Sequence, residues 1–234
     1  MAKKKNKQEE HDILLEGNEQ LSNMFNNAEY YFEQYKNIII GVIVAIILLI
    51  AGIWGYKNLI KGPKEEKAQN AIVDAQNYFE TDSMQLALNG DGSSLGFAAI
   101  AKQYSGTPAG NRANFGAGIA SLRLGKYADA INYLDKFSTE DPILKARKYG
   151  CMGDAYAEQK QMDKAIENYK KAVDAAKNEI TAPTYLFRAA LALAQKGNKK
   201  EALELYKRVK DEYPQSQEGM AAQIYIAQLE AQAL

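Results

Sequence analysis

The chain is poor in two residue types from which catalytic and metal sites are often built, cysteine and histidine. Among 234 residues there is one cysteine, Cys151, and one histidine, His11. A single cysteine excludes an internal disulfide and a thiolate metal cluster, and its position far from the apolar N-terminal segment argues against a lipoprotein. His11 precedes that segment and lies apart from the C-terminal region. Since no Ser/His/Asp, Cys/His or metal-binding set can be assembled, we predict no enzymatic activity, cofactor or metal.

The chain also lacks an excess of charge of either sign. Lysines and arginines number 29, as do aspartates and glutamates, and neither side of the apolar segment forms a basic patch. This balance argues against nucleic-acid binding, and no small-molecule substrate is expected. The stretch Asn89-Gly90-Asp91-Gly92 lacks the ligand spacing of an EF-hand, so it predicts a turn.

One run of the sequence carries no charge at all. It extends from Ile38 to Tyr56, IIIGVIVAIILLIAGIWGY. As a helix it would be about 28 Å long, close to the thickness of a hydrocarbon core. Tyr35 at one end and Trp54 and Tyr56 at the other are typical membrane-interface anchors. The leader is too long for a signal peptide and no small-x-small site follows, so we predict an uncleaved transmembrane helix over 38–56.

The charges around this span leave its orientation open. Lys57, Lys61, Lys64 and Lys67 follow it, whereas Lys36 stands alone just before it. This distribution favours a cytoplasmic C-terminal region. Two considerations oppose a cytoplasmic C-terminal region. The AKKKNK stretch adds positive charge on the N-terminal side of the span, and long domains cross a membrane largely regardless of their charge. Within the tail, 1–37, apolar spacing over 12–36 predicts an amphipathic helix with an acidic polar face, suited to a partner or to packing beside the anchor.

The region after a short linker, 57–64, reads as successive helices with no strand pattern. Segments 118–137, 153–172 and 190–209 align without gaps. Small residues recur at two aligned positions: the first is occupied by Gly118, Gly153 and Ala190, and the second by Ala130, Ala165 and Ala202. A bulky residue follows at a third position, occupied by Leu134, Tyr169 and Tyr206. A proline follows in two of the repeats, as Pro142 and Pro214. The small residues predict close helix contacts within a hairpin, and the bulky ones predict filling between hairpins. The prolines are expected to end second helices.

This order of small, small, bulky and proline resembles the tetratricopeptide repeat. The resemblance implies an all-α fold: a single N-terminal transmembrane helix followed by a tetratricopeptide-repeat helical solenoid. We expect a degenerate repeat over 65–108 with an inserted loop at 81–93, three repeats over 109–216 and a capping helix over 217–234.

In tetratricopeptide domains the first helix of each repeat lines a concave groove. The positions transferred by alignment to a candidate protein-binding groove are Arg112, Phe115, Ile119, Arg123, Arg147, Asp154, Glu158, Phe187 and Leu191. Exposed apolar side chains beside arginine would form a peptide-binding trough in which arginine pairs with carboxylates. The alternative is that Phe115 and Phe187 are core residues between hairpins.

A short tail, one anchor, a degenerate first repeat and three further repeats resemble the YfgM-like family of ancillary Sec translocon subunits. The segment LALNGDGSSLGFAAIAKQY, 86–104, is similar to the inserted-loop region of its members. The resemblance implies a bacterial inner-membrane protein with periplasmic repeats. It also implies association with the SecYEG channel and with a membrane-anchored periplasmic chaperone of the PpiD type, in handling newly exported proteins.

Two other functions remain open from the sequence. One is an envelope scaffold for outer-membrane or cell-wall assembly without translocon contact. The other is a membrane-tethered adaptor that faces the cytoplasm, which the lysines after the span would favour.

Overall fold

The computed structural model describes Phe32 and residues 34–231, and every regular element among them is helical. The all-α prediction is therefore confirmed. The chain divides into two compact units, one up to Ile60 and one from Lys61 onward. The amphipathic helix predicted over 12–36 falls mostly outside the described residues.

The first unit contains one long apolar helix, α1 (Gln34–Gly55). It has 22 residues, and its most apolar window reaches a mean hydropathy of 3.0 with none of that window buried. Tyr35 lies near its start and Trp54 near its end, both with exposed side chains. A helix of this length and composition is compatible with a single-pass membrane anchor.

The predicted linker, 57–64, is helical in the structure. A π-helix (Tyr56–Lys61) follows α1, and α2 (Gly62–Glu80) begins directly after it. Pro63 lies in the first turn of α2, a position that tolerates proline.

The second unit is a succession of short helices. After α2 they are α3 (Met84–Asn89), α4 (Phe97–Gln103), α5 (Pro108–Arg123), α6 (Tyr127–Lys136), α7 (Pro142–Glu158), α8 (Met162–Ala175), α9 (Ala182–Gln195), α10 (Lys199–Glu212) and α11 (Gln217–Ala231). Each of α5, α7 and α9 forms a hairpin with the helix that follows it, and α11 packs on α10 and α9. At the other end, α2, α3 and α4 pack against α5. The segment predicted as an inserted loop, 81–93, contains the short helix α3.

Glycines let the two helices of a hairpin approach closely. A Cβ atom at Gly118 would lie 2.6 Å from Leu134 Cγ, and one at Gly153 would lie 2.6 Å from Tyr169 Cδ1. Leu134 and Tyr169 thus fill the space above the glycine of their own hairpin, whereas the sequence pattern predicts them between neighbouring hairpins. The close contact requires a residue without a side chain on the first helix.

Prolines start first helices in this chain. Pro142 begins α7, and the Asp141 side chain caps that helix by accepting a 2.9 Å hydrogen bond from the Leu144 N–H. Pro108 begins α5 in the same way, with the Thr107 hydroxyl accepting from the Gly110 N–H at 3.0 Å. The prediction that Pro142 ends the preceding helix is wrong, because α6 already ends at Lys136. Proline suits the start of a helix because its φ is preset there.

The turn between α3 and α4 is held by one carboxylate. Asp91 Oδ1 accepts from the backbone N–H groups of Ser93 at 2.9 Å and Ser94 at 2.7 Å, and its Oδ2 accepts from the Tyr78 hydroxyl at 2.7 Å. These hydrogen bonds, the one from Ser94 above all, hold the pKa of Asp91 well below its usual range. The turn is therefore locally ordered by charge-assisted hydrogen bonds.

We expect Asp91→Ala to loosen this turn. Because the folded-state pKa is depressed, the contribution of Asp91 is present above the unfolded pKa and is lost as the pH falls through the folded value. Near neutral pH, amide hydrogen exchange at Ser93 and Ser94 should accelerate in the variant and stay unchanged in Asp129→Ala, an exposed aspartate of α6. Equal exchange in Asp91→Ala and the unsubstituted protein would contradict the role given to this carboxylate.

Candidate functional site: a groove on the first helices

A cavity of about 580 Å³ opens between α2, α5 and α7. Its lining is mostly apolar at the base and polar at the rim; the residues are Ile72, Gln76, Phe79, Glu80, Phe97, Pro108, Asn111, Arg112, Phe115, Gly116, Ile119, Phe137, Ser138, Thr139, Leu144 and Arg147. We call this space the N-terminal groove. Its volume is in the range of pockets that enclose a small ligand or a few side chains.

Helical periodicity explains why Arg112, Phe115 and Ile119 are among the α5 residues that line the N-terminal groove. Arg112, Phe115 and Ile119 are separated by three and four residues, so they share one face of the helix. Phe115 is half-buried and packs against Phe137, with the two ring centroids 4.7 Å apart. Ile119 is buried at the base. The α5 face therefore presents one guanidinium beside an aromatic and aliphatic surface.

Arginine on α7 completes the rim. The Arg147 guanidinium lies over the Phe115 ring, 5.7 Å from its centroid. Among the ion pairs of the described residues, none includes Arg147. Stacking on a ring holds a guanidinium in place and leaves its N–H groups available to a carboxylate.

Arg112 is only weakly neutralised. Its nearest carboxylate oxygen is Glu65 Oε1 at 4.0 Å, and its side chain is 50% exposed. Glu65 is already engaged, because its oxygens accept from the Ala109 N–H at 3.0 and 3.2 Å. Burial opposes ionisation of Glu65, but the hydrogen bonds from Ala109 and Gln69 keep its pKa below its usual value. The rim thus keeps two cationic groups beside apolar surface.

Arg123, on the same helix, has a different environment. It donates to Asp82 Oδ1 at 2.7 Å, and its guanidinium lies 5.4 Å from the centroid of the Phe79 ring. Both contacts tie the end of α5 to the turn after α2. Arg123 therefore borders the N-terminal groove without lining it.

The predicted acidic residues are paired within the domain. Asp154 accepts hydrogen bonds from Arg188 at 2.5 and 2.7 Å and from the Tyr169 hydroxyl at 2.8 Å. Burial, with the Asp154 charge next, raises the pKa of Tyr169 well above its usual range. Glu158 Oε2 accepts from the Tyr127 hydroxyl at 3.3 Å. These contacts join successive helices of the solenoid.

Phe187 and Leu191 lie further along the solenoid. The Phe187 ring meets Tyr206 and Tyr225 edge to face at centroid distances of 5.3 and 5.2 Å. This is the packing expected of a residue between hairpins. Leu191 borders a cavity of about 220 Å³ together with Asp154 and Arg188. Of the nine residues predicted for the groove, four therefore share one cavity, namely Arg112, Phe115, Ile119 and Arg147.

Sequence reasoning missed the wall that α2 contributes. Ile72, Gln76 and Phe79 line the N-terminal groove, yet the aligned repeats do not include α2. Their spacing of four and three residues, within a segment already predicted as helical, is the signal that could have identified them.

The single cysteine lies close to arginines, but its environment predicts low reactivity. Burial raises the pKa of Cys151 to about 11, with Asp154 adding to the shift and Arg147 opposing it. The thiolate is the nucleophile that attacks a maleimide, so labelling at pH 8 should be about 100-fold slower than for an ordinary cysteine. Denaturant should restore the normal rate. Rapid labelling of the folded chain would contradict this environment for Cys151.

Comparison with known families agrees with the geometry. Family models described as tetratricopeptide repeats match residues 97–142 and 144–211. The solenoid is therefore similar to tetratricopeptide repeats in both its helical architecture and its sequence. Its matched residues include α4 to α9 and nearly all of α10, and they contain α5 and α7, which form two walls of the N-terminal groove. Proteins of this kind mediate protein–protein interactions. A search of curated proteins gives no match.

Solved structures show the same fold at low sequence identity. The nearly identical TPR-like repeats of a Podosopora anserina kinesin light chain candidate superpose with a TM-score of 0.53 at 15% identity, covering 73% of this chain and 87% of that one. A variant of the same repeats with one substitution gives 0.52 at 15% identity, covering 70% and 84%. At this identity the likeness concerns the tetratricopeptide-repeat fold alone.

Proposed function

We propose that this protein is a membrane-anchored adaptor that holds an extended segment of another protein in the N-terminal groove. The observation that carries this proposal is the cavity of about 580 Å³ on the first helices of a tetratricopeptide-repeat domain. An apolar side chain of the partner fills its base, and a neighbouring carboxylate pairs with Arg147 and Arg112 at the rim.

Membrane anchoring is part of the proposal. It is supported by α1, a 22-residue helix whose most apolar window contains no buried residue in the structure. An apolar helix of this length outside a core needs a bilayer or a partner to cover it. Trp54, Tyr56 and Tyr35 are the proposed interfacial anchors at its ends.

The cellular setting that we propose is the bacterial Sec translocon. Support comes from the YfgM-like arrangement of tail, span, inserted segment and repeats. In this setting the repeats lie in the periplasm beside SecYEG and a PpiD-type chaperone, and the N-terminal groove receives or passes on exported chains. A pull-down in mild detergent should recover Sec components with the full chain. Recovery of partners without any Sec component would remove this setting while leaving an envelope scaffold.

One observation favours a second candidate, an adaptor that faces the cytoplasm. Lysines 57, 61, 64 and 67 follow the span closely, which is typical of a cytoplasmic flank. A reporter enzyme active only outside the cytoplasm, fused after Leu234, should be active if the first proposal holds. A silent reporter in a stably expressed fusion would assign the repeats to the cytoplasm. Such a fusion is preferable to labelling Cys151, since that thiol is poorly reactive.

A further inference from the structure

A second cavity, of about 900 Å³ and more polar than the first, lies at the α4–α5 end of the domain. Lys61, Lys102 and Lys136 contribute to its lining, and none of its lining residues is acidic. Asn132 and Ser105 add an amide and a hydroxyl group. We call it the lysine cavity. Such a lining offers many hydrogen-bond donors to an anion and no carboxylate to repel it.

The structure holds this cavity in shape. Lys64 Nζ donates to the Ser105 carbonyl oxygen at 2.9 Å, which ties the turn after α4 to α2. The Asn111 side chain donates to the Ser138 carbonyl oxygen at 2.7 Å and accepts from the Ser138 N–H at 3.0 Å. These two hydrogen bonds tie α5 to the segment after α6. Together, these hydrogen bonds fix two parts of the lining, the turn after α4 and the segment after α6.

Chain length limits how far the start of the lysine cavity can lie from the end of α1. Lys61 lines it and follows Gly55, the last residue of α1, by only six residues. Six residues span at most about 20 Å even when fully extended. The first residue of the cavity is therefore within reach of the headgroup layer whatever the arrangement of the two units.

We propose that the lysine cavity binds the headgroup of an anionic phospholipid. The inference rests on the proposed membrane anchoring. A phosphodiester offers oxygens that only accept hydrogen bonds, which suits the ammonium groups of Lys102 and Lys136. Each lysine near an anionic surface strengthens attraction about fivefold. A zwitterionic headgroup would bring its own ammonium group against these lysines. Binding would fix one end of the tetratricopeptide-repeat domain at the bilayer surface.

The test is lysine acylation of the full chain in nanodiscs. Discs of phosphatidylcholine alone are compared with discs that also contain phosphatidylglycerol. We expect acylation of Lys102 and Lys136 to slow at least about fivefold with the anionic lipid. Lys199 and Lys200, exposed at the start of α10, should react equally in both. Equal rates at Lys102 and Lys136 in the two discs would overturn the proposal.

Two further arms make the result specific. Asn132→Glu adds a carboxylate to the lysine cavity and should abolish the protection, whereas Gln223→Glu, exposed on α11, should retain it. Inorganic phosphate added to phosphatidylcholine discs should give little protection; protection equal to that by phosphatidylglycerol would make this a soluble-anion site and overturn the lipid assignment. Co-elution of the chain with discs is scored separately, so failed insertion would reject the membrane anchor itself.

Discussion

Tyr206→Ala is expected to lower the free energy of unfolding by about 3–5 kcal/mol. Tyr206 is completely buried in the structure, stacks on Tyr225 at a centroid distance of 5.1 Å and meets Phe187 edge to face. Removing its ring leaves a void between the last hairpin and α11 that neighbouring side chains cannot fill. Urea denaturation of the full chain in detergent, followed by circular dichroism, measures the change.

Tyr206→Phe is the matched control, and it is not expected to lower the free energy of unfolding. The Tyr206 hydroxyl is buried and has no hydrogen-bond partner among the described residues. A buried hydroxyl without a partner costs free energy, so its removal should leave stability unchanged or raise it by up to about 1 kcal/mol. A loss in Tyr206→Phe as large as that in Tyr206→Ala would mean that the hydroxyl, and not the ring, carries the contribution.

Arg147→Glu is expected to weaken peptide binding by at least about tenfold, since charge-assisted hydrogen bonds contribute roughly 1.5–3 kcal/mol. The probes are two labelled peptides with phenylalanine followed by aspartate or by asparagine. The unsubstituted full chain should prefer the aspartate peptide, because Arg147 and Arg112 border the apolar base of the N-terminal groove. In Arg147→Glu that preference should vanish or reverse. Fluorescence anisotropy titration measures both affinities.

Lys145→Glu provides the control for charge alone. Lys145 lies on the same helix, α7, is exposed and does not line the N-terminal groove. Its variant carries the same change in net charge and should bind like the unsubstituted chain. Arg147→Lys should give an intermediate affinity, because an ammonium group cannot form the bidentate pair. Equal losses of peptide affinity in Lys145→Glu and Arg147→Glu would mean that only long-range electrostatics, and no direct contact with Arg147, affects binding.

Much of the fold is predictable because it depends on local spacing. The recurrence of Gly118 and Gly153 at equivalent positions reflects helix contacts inside each hairpin, which the structure shows directly. The same spacing could not place Leu134 and Tyr169, since a bulky residue fits equally well within or between hairpins. Nor could it find α3, whose six residues are too few to show a periodic pattern.

The candidate site was less accessible from the sequence than the fold. Arg112 and Arg147 were identified because they occupy first-helix positions, and the structure places them on one cavity. Asp154 occupies a first-helix position as well, but Arg188, 34 residues away, pairs with it. Such pairings depend on neighbours in space. Spacing along one helix cannot separate a free groove residue from a paired one.

The most direct test of the account is photo-crosslinking from inside the N-terminal groove. A photoreactive amino acid replaces Gln76, which is exposed and lines the groove, or Gln223, which is exposed on α11. In the membrane-inserted full chain, we expect position 76 to form adducts with polypeptide and the aspartate peptide to suppress them. Position 223 should form few adducts. Equal adducts from both positions, or adducts from position 76 that the peptide does not displace, would contradict the account.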